Sequence, residues 1–434
     1  MEISALIAKL KKLNVNIRSV DGKLQVDAPK GRLTPDLLDE LKSNKAELIQ
    51  FLETEKKRRR YISLEPVEQK EYYPLSSAQK RMFILNNLEP GNVKYNMQKE
   101  IYLGKTIDVA KLTHYFGKII DKHQSLRTSF EIIGDQPVQR VHREVAFEIE
   151  FHDRTNDPEK DQSYNIEGKP QTGFIGDFIR PFDFSLPPLF RVGLVKDRDG
   201  KYFLLIDMHH IIGDDASYNI LEKEFALLST GKELPPIPID YKDYTEWQNS
   251  PGQKKLLEKQ EKYWCKIFSD EIPILELPAD YKRPAVQSAE GAIVSFYLDK
   301  REIRILKNLV EKSGTTLFIT LLSVLYVFLS KISRREDIVV GIPTAGRRHA
   351  DLEKVIGMFV NTLAIRNFPV KDKTFDQFLE EVKNSTFEAF ENQEYQFEDL
   401  VDRLSVRRDV ARNPIFDVFF NFLSQAEYGG DAPP

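Results

Sequence analysis

Cysteine is nearly missing from this chain of 434 residues, which contains only Cys265. One thiol excludes an internal disulfide and fits a reducing compartment. It lies in Tyr263-Trp264-Cys265-Lys266, a helical-looking stretch in which it reads as structural rather than nucleophilic. No apolar run reaches the roughly 20 residues that span a bilayer. The opening Met-Glu-Ile-Ser has none of a signal peptide's basic and apolar regions. A cytoplasmic protein with no membrane partner is therefore expected. Neither sign of charge dominates: 63 Lys and Arg face 67 Asp and Glu, a net of −4, so composition gives no reason for a nucleic-acid partner. Three chemical signatures are also absent. There is no G-x-x-x-x-G-K-[ST] to cradle phosphate, no G-x-G-x-x-G after a strand and no G-x-S-x-G elbow. A kinase, an ATPase, a dinucleotide enzyme and a serine hydrolase are disfavoured together.

The length implies two or three domains. Residues 1–55 read as a small separate module. Ile3, Leu6, Ile7 and Leu10 share one helix face. Val15 to Ile17 and Leu24 to Val26 alternate around Asp21-Gly22, a strong hairpin signal. Thr34-Pro35 then opens a second helical segment with Leu37, Leu38, Leu41, Leu48, Ile49 and Leu52 on its apolar face. A lone hairpin leaves unpaired edges that invite a partner strand. Residues 56–71, which include Lys56 to Arg60, read as a solvated linker.

The remainder alternates helices and strands in two halves, 72–240 and 241–434, which suggests a two-lobed α/β body. The second boundary leaves open a continuation past Pro434. In the first half, helices are expected at Ser76 to Leu88 and Lys111 to Gln124, with a strand at Gln98 to Leu103 between them. In the second, helices at about 253–268, 300–312, 315–332 and 376–390 flank strands at Ala292 to Leu298, Asp337 to Ile342 and Val418 to Phe422.

The densest chemistry lies at Met208-His209-His210-Ile211-Ile212-Gly213-Asp214-Asp215. An apolar strand, Tyr202 to Ile206, runs into it, and Ser217 is positioned to cap the helix that leaves it. Continued strand geometry would send His209 and His210 to opposite faces. Such a pair reads equally as one core histidine beside an exposed one, or as a catalytic base. Zinc is disfavoured, because no Cys pair or helical His-x-x-x-His supplies further ligands.

These residues resemble the condensation domains of non-ribosomal peptide synthetases, whose central signature is H-H-x-x-x-D-G. Flanking stretches match in the family's order. They are Leu75-Ser-Ser-Ala-Gln79-Lys-Arg81, Lys122-His123-Gln-Ser-Leu-Arg127, Tyr241 to Gln248, Ile356-Gly-Met-Phe-Val-Asn361, Tyr395 to Val401, and Arg408 through Arg412-Asn413-Pro414. The match covers about residues 72–422. Residues 1–55 separately resemble docking domains that receive an upstream synthetase subunit.

The resemblance implies two chloramphenicol-acetyltransferase-like lobes in a V-shaped pseudo-dimer, preceded by a small αβ docking domain. It implies peptide-bond formation between an upstream carrier-bound acyl or peptidyl thioester and the amine of a downstream carrier-bound aminoacyl thioester. Phosphopantetheine arms come with the donor and acceptor carrier proteins, and no cofactor is bound by the chain itself. His210 matches the functional histidine, and His209 orients the loop. Asp214 is a structural aspartate paired with an arginine, for which Arg127 is the candidate. Asn361 is expected to line the tunnel. Arg18, Lys23 and Lys30 are expected to meet an acidic upstream tail. The family's glycine is Asp215 here, and its carboxylate would raise the basicity of His210 and lower its free-base fraction at neutral pH. Two other classes compete: a docking and gating module with a drifted histidine loop, and a free acyl-CoA-dependent acyltransferase.

Overall fold

The computed structural model describes residues 16–20, 23–27, 64–155, 177–285, 291–406 and 411–423, together with Leu41 and Leu48. Two compact units divide the chain, 1–65 and 66–434. In the first, β1 (Asn16–Val20) and β2 (Lys23–Asp27) pair antiparallel, with Val20 opposite Lys23, as the hairpin signal requires. Arg18 stands opposite Gln25 in that register, while Lys30 and the Asp21-Gly22 pair lie outside the described residues. Leu41 and Leu48 are helical and buried, as expected of the second helical segment.

In the second unit, β3 (Tyr73–Pro74) precedes α1 (Ser77–Leu88). Ser76 caps α1 in a reciprocal box with Gln79, which fixes its start. Next come β4 (Asn96–Gly104), α2 (Val109–Lys122), β5 (Thr128–Ile133), β6 (Gln136–Val141), β7 (Ile149–Asp153), β8 (Phe190–Lys196) and β9 (Tyr202–His209). These build two sheets, β3-β6-β5 and β4-β9-β8-β7. The apolar face of α2 places Leu112, Phe116, Ile119 and Ile120 in the first lobe's core, with α3 (Asp215–Ser229) contributing Tyr218, Leu221 and Leu228.

The first lobe keeps one helix that the division at 240 assigns elsewhere. In α4 (Tyr241–Gln248), Asp243 accepts from the Val67 amide, Gln248 from the Ser77 amide, and Thr245 from Gln139. These polar ties pack α4 on β3 and β6, while the buried Tyr241 and Tyr244 rings meet that of Phe359 at centroid distances of 4.9 and 4.8 Å. The same bonds fix the last residues of the expected linker, because Lys70 also pairs with Glu246.

The second lobe starts with α5 (Pro251–Ile267), followed by α6 (Lys300–Ser313) and α7 (Leu317–Ser333). The sheet β11-β10-β12 is built from β10 (Ile338–Thr344), β11 (Asn361–Asn367) and β12 (Val418–Phe419). It is covered by α7, α8 (Phe375–Glu391) and α9 (Phe397–Arg403), and its core is separate from that of the first lobe. The expected strand at Ala292 to Leu298 does not form. Val294, Phe296 and Tyr297 are 80–87% exposed there, and no strand lies beside them among the described residues. Alternation licenses a strand, but only a neighbour completes one. The final strand is shorter than expected for the same reason: only Val418 and Phe419 pair with β10.

The lobes of this unit are joined through Ile356 to Phe359. Ile356 and Met358 belong to the first lobe's core although they arrive from the second half. Ser125 donates to the Ile356 carbonyl at 2.7 Å and the Tyr241 hydroxyl to that of Met358 at 2.5 Å. A Cβ on Gly357 would meet the Tyr241 ring at 1.9 Å, so only glycine lets the segment pass.

Candidate active site

Strand β9 is held on both sides, by β4 and β8, which fixes where its end lies. Leu204, Ile206 and Met208 point into the first lobe's main core, and the other face carries Leu205, Asp207 and His209. His209 is buried at 3% exposure, with Phe184 and Phe182 packed edge-on at ring-centroid distances of 4.6 and 6.2 Å. Its Nδ1 accepts the Ile211 N–H at 3.1 Å. Burial, and secondarily His210, pull its pKa down from 6.5 to about 3, so it is a neutral ring at physiological pH.

His210 does not continue the strand. It opens a one-turn 3-10 helix, His210–Ile212, so the alternation expected through the pair stops at His209. The His210 amide donates to the Tyr95 carbonyl at 2.8 Å. The residue is partly exposed, while its Nδ1 is buried with no hydrogen-bond partner among the described residues. One core histidine beside one accessible histidine is what the structure contains. The core member holds the turn that presents the accessible one.

Asp214 is the N-cap of α3, a role the sequence reading gave to Ser217. Its Oδ1 accepts from the Ser217 amide at 2.9 Å and hydroxyl at 2.7 Å, and its Oδ2 from the Phe359 amide at 3.2 Å. The paired arginine is Arg347, whose Nη2 lies 2.8 Å from Oδ1, with side-chain exposures of 6% and 1%. Arg347 also donates to the carbonyls of Leu352 and Val355 and covers the Phe359 ring at 4.1 Å. Arg127 is not the partner. Its guanidinium is spent on the carbonyls of Ile120, Asp121, His142 and Arg143, at the C-terminus of α2 and the exit of β6. The sequence signal for Arg347 was the Gly346-Arg347 pair after β10. Gly346 has φ +64°, and a Cβ there would lie 1.9 Å from the Phe359 carbonyl oxygen.

Asn361 also differs from expectation. It is buried at 4% exposure, and its amide donates to the carbonyls of Gln393 and Tyr395 and accepts from the amides of Thr362 and Phe397. Both ends of the side chain are consumed in holding the turn before α9, which leaves none for a tunnel wall. Asp215 is exposed on the first turn of α3, outside the positive-φ region, and makes no ion pair with His210 among the described residues. The position does not require glycine's freedom.

A cleft of about 800 Å³ opens beside this turn. One wall is the edge of β4 with Asp214, Asp215 and Tyr218; the other includes Pro343 and Val360 from the second lobe. It reaches the aspartates and stops short of His210.

Two α/β lobes with a histidine turn sealed by a buried aspartate–arginine pair define the chloramphenicol-acetyltransferase-like class. The family model for the condensation domain matches residues 69–430, and that of the TubC N-terminal docking domain matches residues 3–54. Gramicidin S synthase 2 of Aneurinibacillus migulanus is 45% identical over 372 residues, covering 85% of this chain and 8% of that protein. Bacitracin synthase 2 of Bacillus licheniformis is 39% identical over 433 residues, covering 100% of this chain and 16% of that protein. The chain thus spans a small part of these curated relatives. A four-domain nonribosomal peptide synthetase solved with AMP and glycine superposes at a TM-score of 0.71 with 25% identity, covering 82% of this chain and 27% of that one. The cyclization-docking bidomain of the EpoB synthetase from Sorangium cellulosum shares the fold at a TM-score of 0.67 and 20% identity, over 96% of this chain and 84% of that one. The chain belongs to the condensation-domain family of non-ribosomal peptide synthetases, which forms amide bonds, and carries a docking domain before it.

Proposed function

We propose that this chain joins an acyl or peptidyl thioester, delivered by an upstream carrier protein, to the α-amine of an aminoacyl thioester on a downstream carrier. Each substrate arrives on the carrier's phosphopantetheine arm. The nitrogen attacks the thioester carbonyl, the C–N bond forms, the C–S bond breaks, and the proton lost by nitrogen ends on the departing thiol. His210 meets that nitrogen, as base or as positioning group, and holding two thioesters in register supplies effective molarity on the order of 10⁵ M or more. One observation carries this reading: His210 stays accessible on a turn fixed by His209 on one side and by the Asp214–Arg347 pair on the other. Asp215 sits in ordinary helical backbone, which supports a working loop over a drifted gating module. The docking module is assigned the upstream subunit's C-terminal tail, and an intracellular setting goes with these partners. The test is amide formation between two loaded carriers. His210→Ala is expected to lose at least a hundredfold in turnover, and a variant within a few-fold of the parent overturns the assignment.

A further inference from the structure

Two residues before His209, on the same face of β9, Asp207 is wholly buried, and the proposed chemistry makes no use of it. Arg191 of β8 lies 3.1 Å from its Oδ2, and Asn96 donates to the same oxygen at 3.0 Å. A buried ion pair needs a reason, because its desolvation offsets much of its attraction. Here both partners lead to the histidine turn.

Arg191 stacks on the Phe182 ring at 3.7 Å and donates to the carbonyls of Phe178 and Arg180 at 3.0 and 2.7 Å. That fork holds the segment whose Phe182 and Phe184 enclose the His209 ring. His209 in turn holds the Ile211 amide at the start of the turn. On the other side, Asn96 pairs in register with His209 and follows Tyr95, whose carbonyl accepts the His210 amide. Two routes therefore run from one carboxylate to the two backbone bonds that shape the turn. We infer that the buried Arg191–Asp207 pair is a positioning element for His210, clamping the turn from the strand side as Asp214–Arg347 clamps it from the helix side.

The kinetic arm of the test rests on the proposed function; a spectroscopic arm does not. Asp207→Asn strands the Arg191 charge, so it is paired with the double variant Asp207→Asn/Arg191→Met, which removes both charges together. Amide formation from two loaded carriers is measured for each, with the ring resonances of His210 followed by NMR in the carrier-free protein. Both variants are expected to lose at least tenfold in kcat with the acceptor KM within twofold of the parent, and to shift the His210 resonances. A double variant as stable as the parent, with kcat within twofold and unmoved His210 resonances, overturns the inference. So does a loss of kcat that follows melting temperature and disappears on cooling. Should the parent itself form no amide, the proposed function fails, and the His210 resonances of the folded double variant alone decide the positioning role.

Discussion

At the scale of single residues, the site depends on which charges are stranded when one is removed. Asp214 and Arg347 are both buried, so Asp214→Ala or Arg347→Met leaves an uncompensated charge at a cost of about 3–5 kcal/mol. Chemical denaturation should show that loss in both. Arg127→Met should cost less, because it gives up carbonyl contacts and no buried carboxylate; equal losses for Arg127 and Arg347 would contradict the pairing. His209 yields a pH prediction. Its pKa is about 3 folded against 6.5 unfolded, so between those values the unfolded chain binds the extra proton. Its contribution is fully present above pH 6.5 and is lost on acidification towards pH 3, at up to about 1.4 kcal/mol per pH unit. Stability curves of the parent and of His209→Phe should differ in slope across that window, and parallel curves would refute the neutral buried state.

At the scale of elements, α3 carries the turn's fate. Asp214 caps it, Ser217 completes the box and Asp215 places a carboxylate at its positive end. Replacing Asp215 by glycine removes a favourable helix-end charge and adds backbone entropy, together about 1 kcal/mol. Asp215→Gly is expected to melt earlier yet to retain turnover, measured with loaded carriers near neutral pH. A folded, inactive glycine variant would make Asp215 a group that the reaction needs. Most elements were legible in the sequence because their periodicity, turns and caps are local: α2 follows from apolar spacing and the hairpin β1–β2 from alternation around Asp21-Gly22. The failures have a common cause. Ala292 to Leu298 alternates correctly but lacks a partner, Arg347 lies 133 positions from Asp214, and Asn361 spends its amide on a turn over thirty residues away. Pattern reports what a segment can do, and contacts distant in sequence decide what it does. His209 and His210 and an expected division of labour between them came from the motif; what the motif did not carry is that the strand stops between them.

At the scale of the whole molecule, the tasks proposed for the docking domain and for the lobes can be tested separately. Among the described residues β1 and β2 pair only with each other, so their outer edges are where the proposed strand addition by an extended tail is tested. Charge pairs from Arg18, Lys23 and Lys30 would add weak, salt-screened affinity. Titration with the upstream subunit's tail should shift amides along the hairpin and weaken as salt rises, whereas shifts confined to helical residues would rule strand addition out. Removing residues 1–55 should leave condensation intact at high carrier concentration and abolish transfer from the separate upstream subunit at low concentration.

The joint at Asp214 also bears on how such domains can be recombined. Its carboxylate caps a first-lobe helix while accepting from Arg347 and the Phe359 amide of the second. Neighbouring Ile356 and Met358 fill the first lobe's core. A chimera that exchanges one lobe at residue 240 would part α4 from the strands it packs on and pair a foreign Ile356–Phe359 plug with a native socket. A crossover between α4 and α5, carrying residues 344–359 together with the first lobe they fill, keeps α5 with its own core and the plug, the arginine and the cap from one parent. The histidine turn then inherits its geometry intact from a single parent.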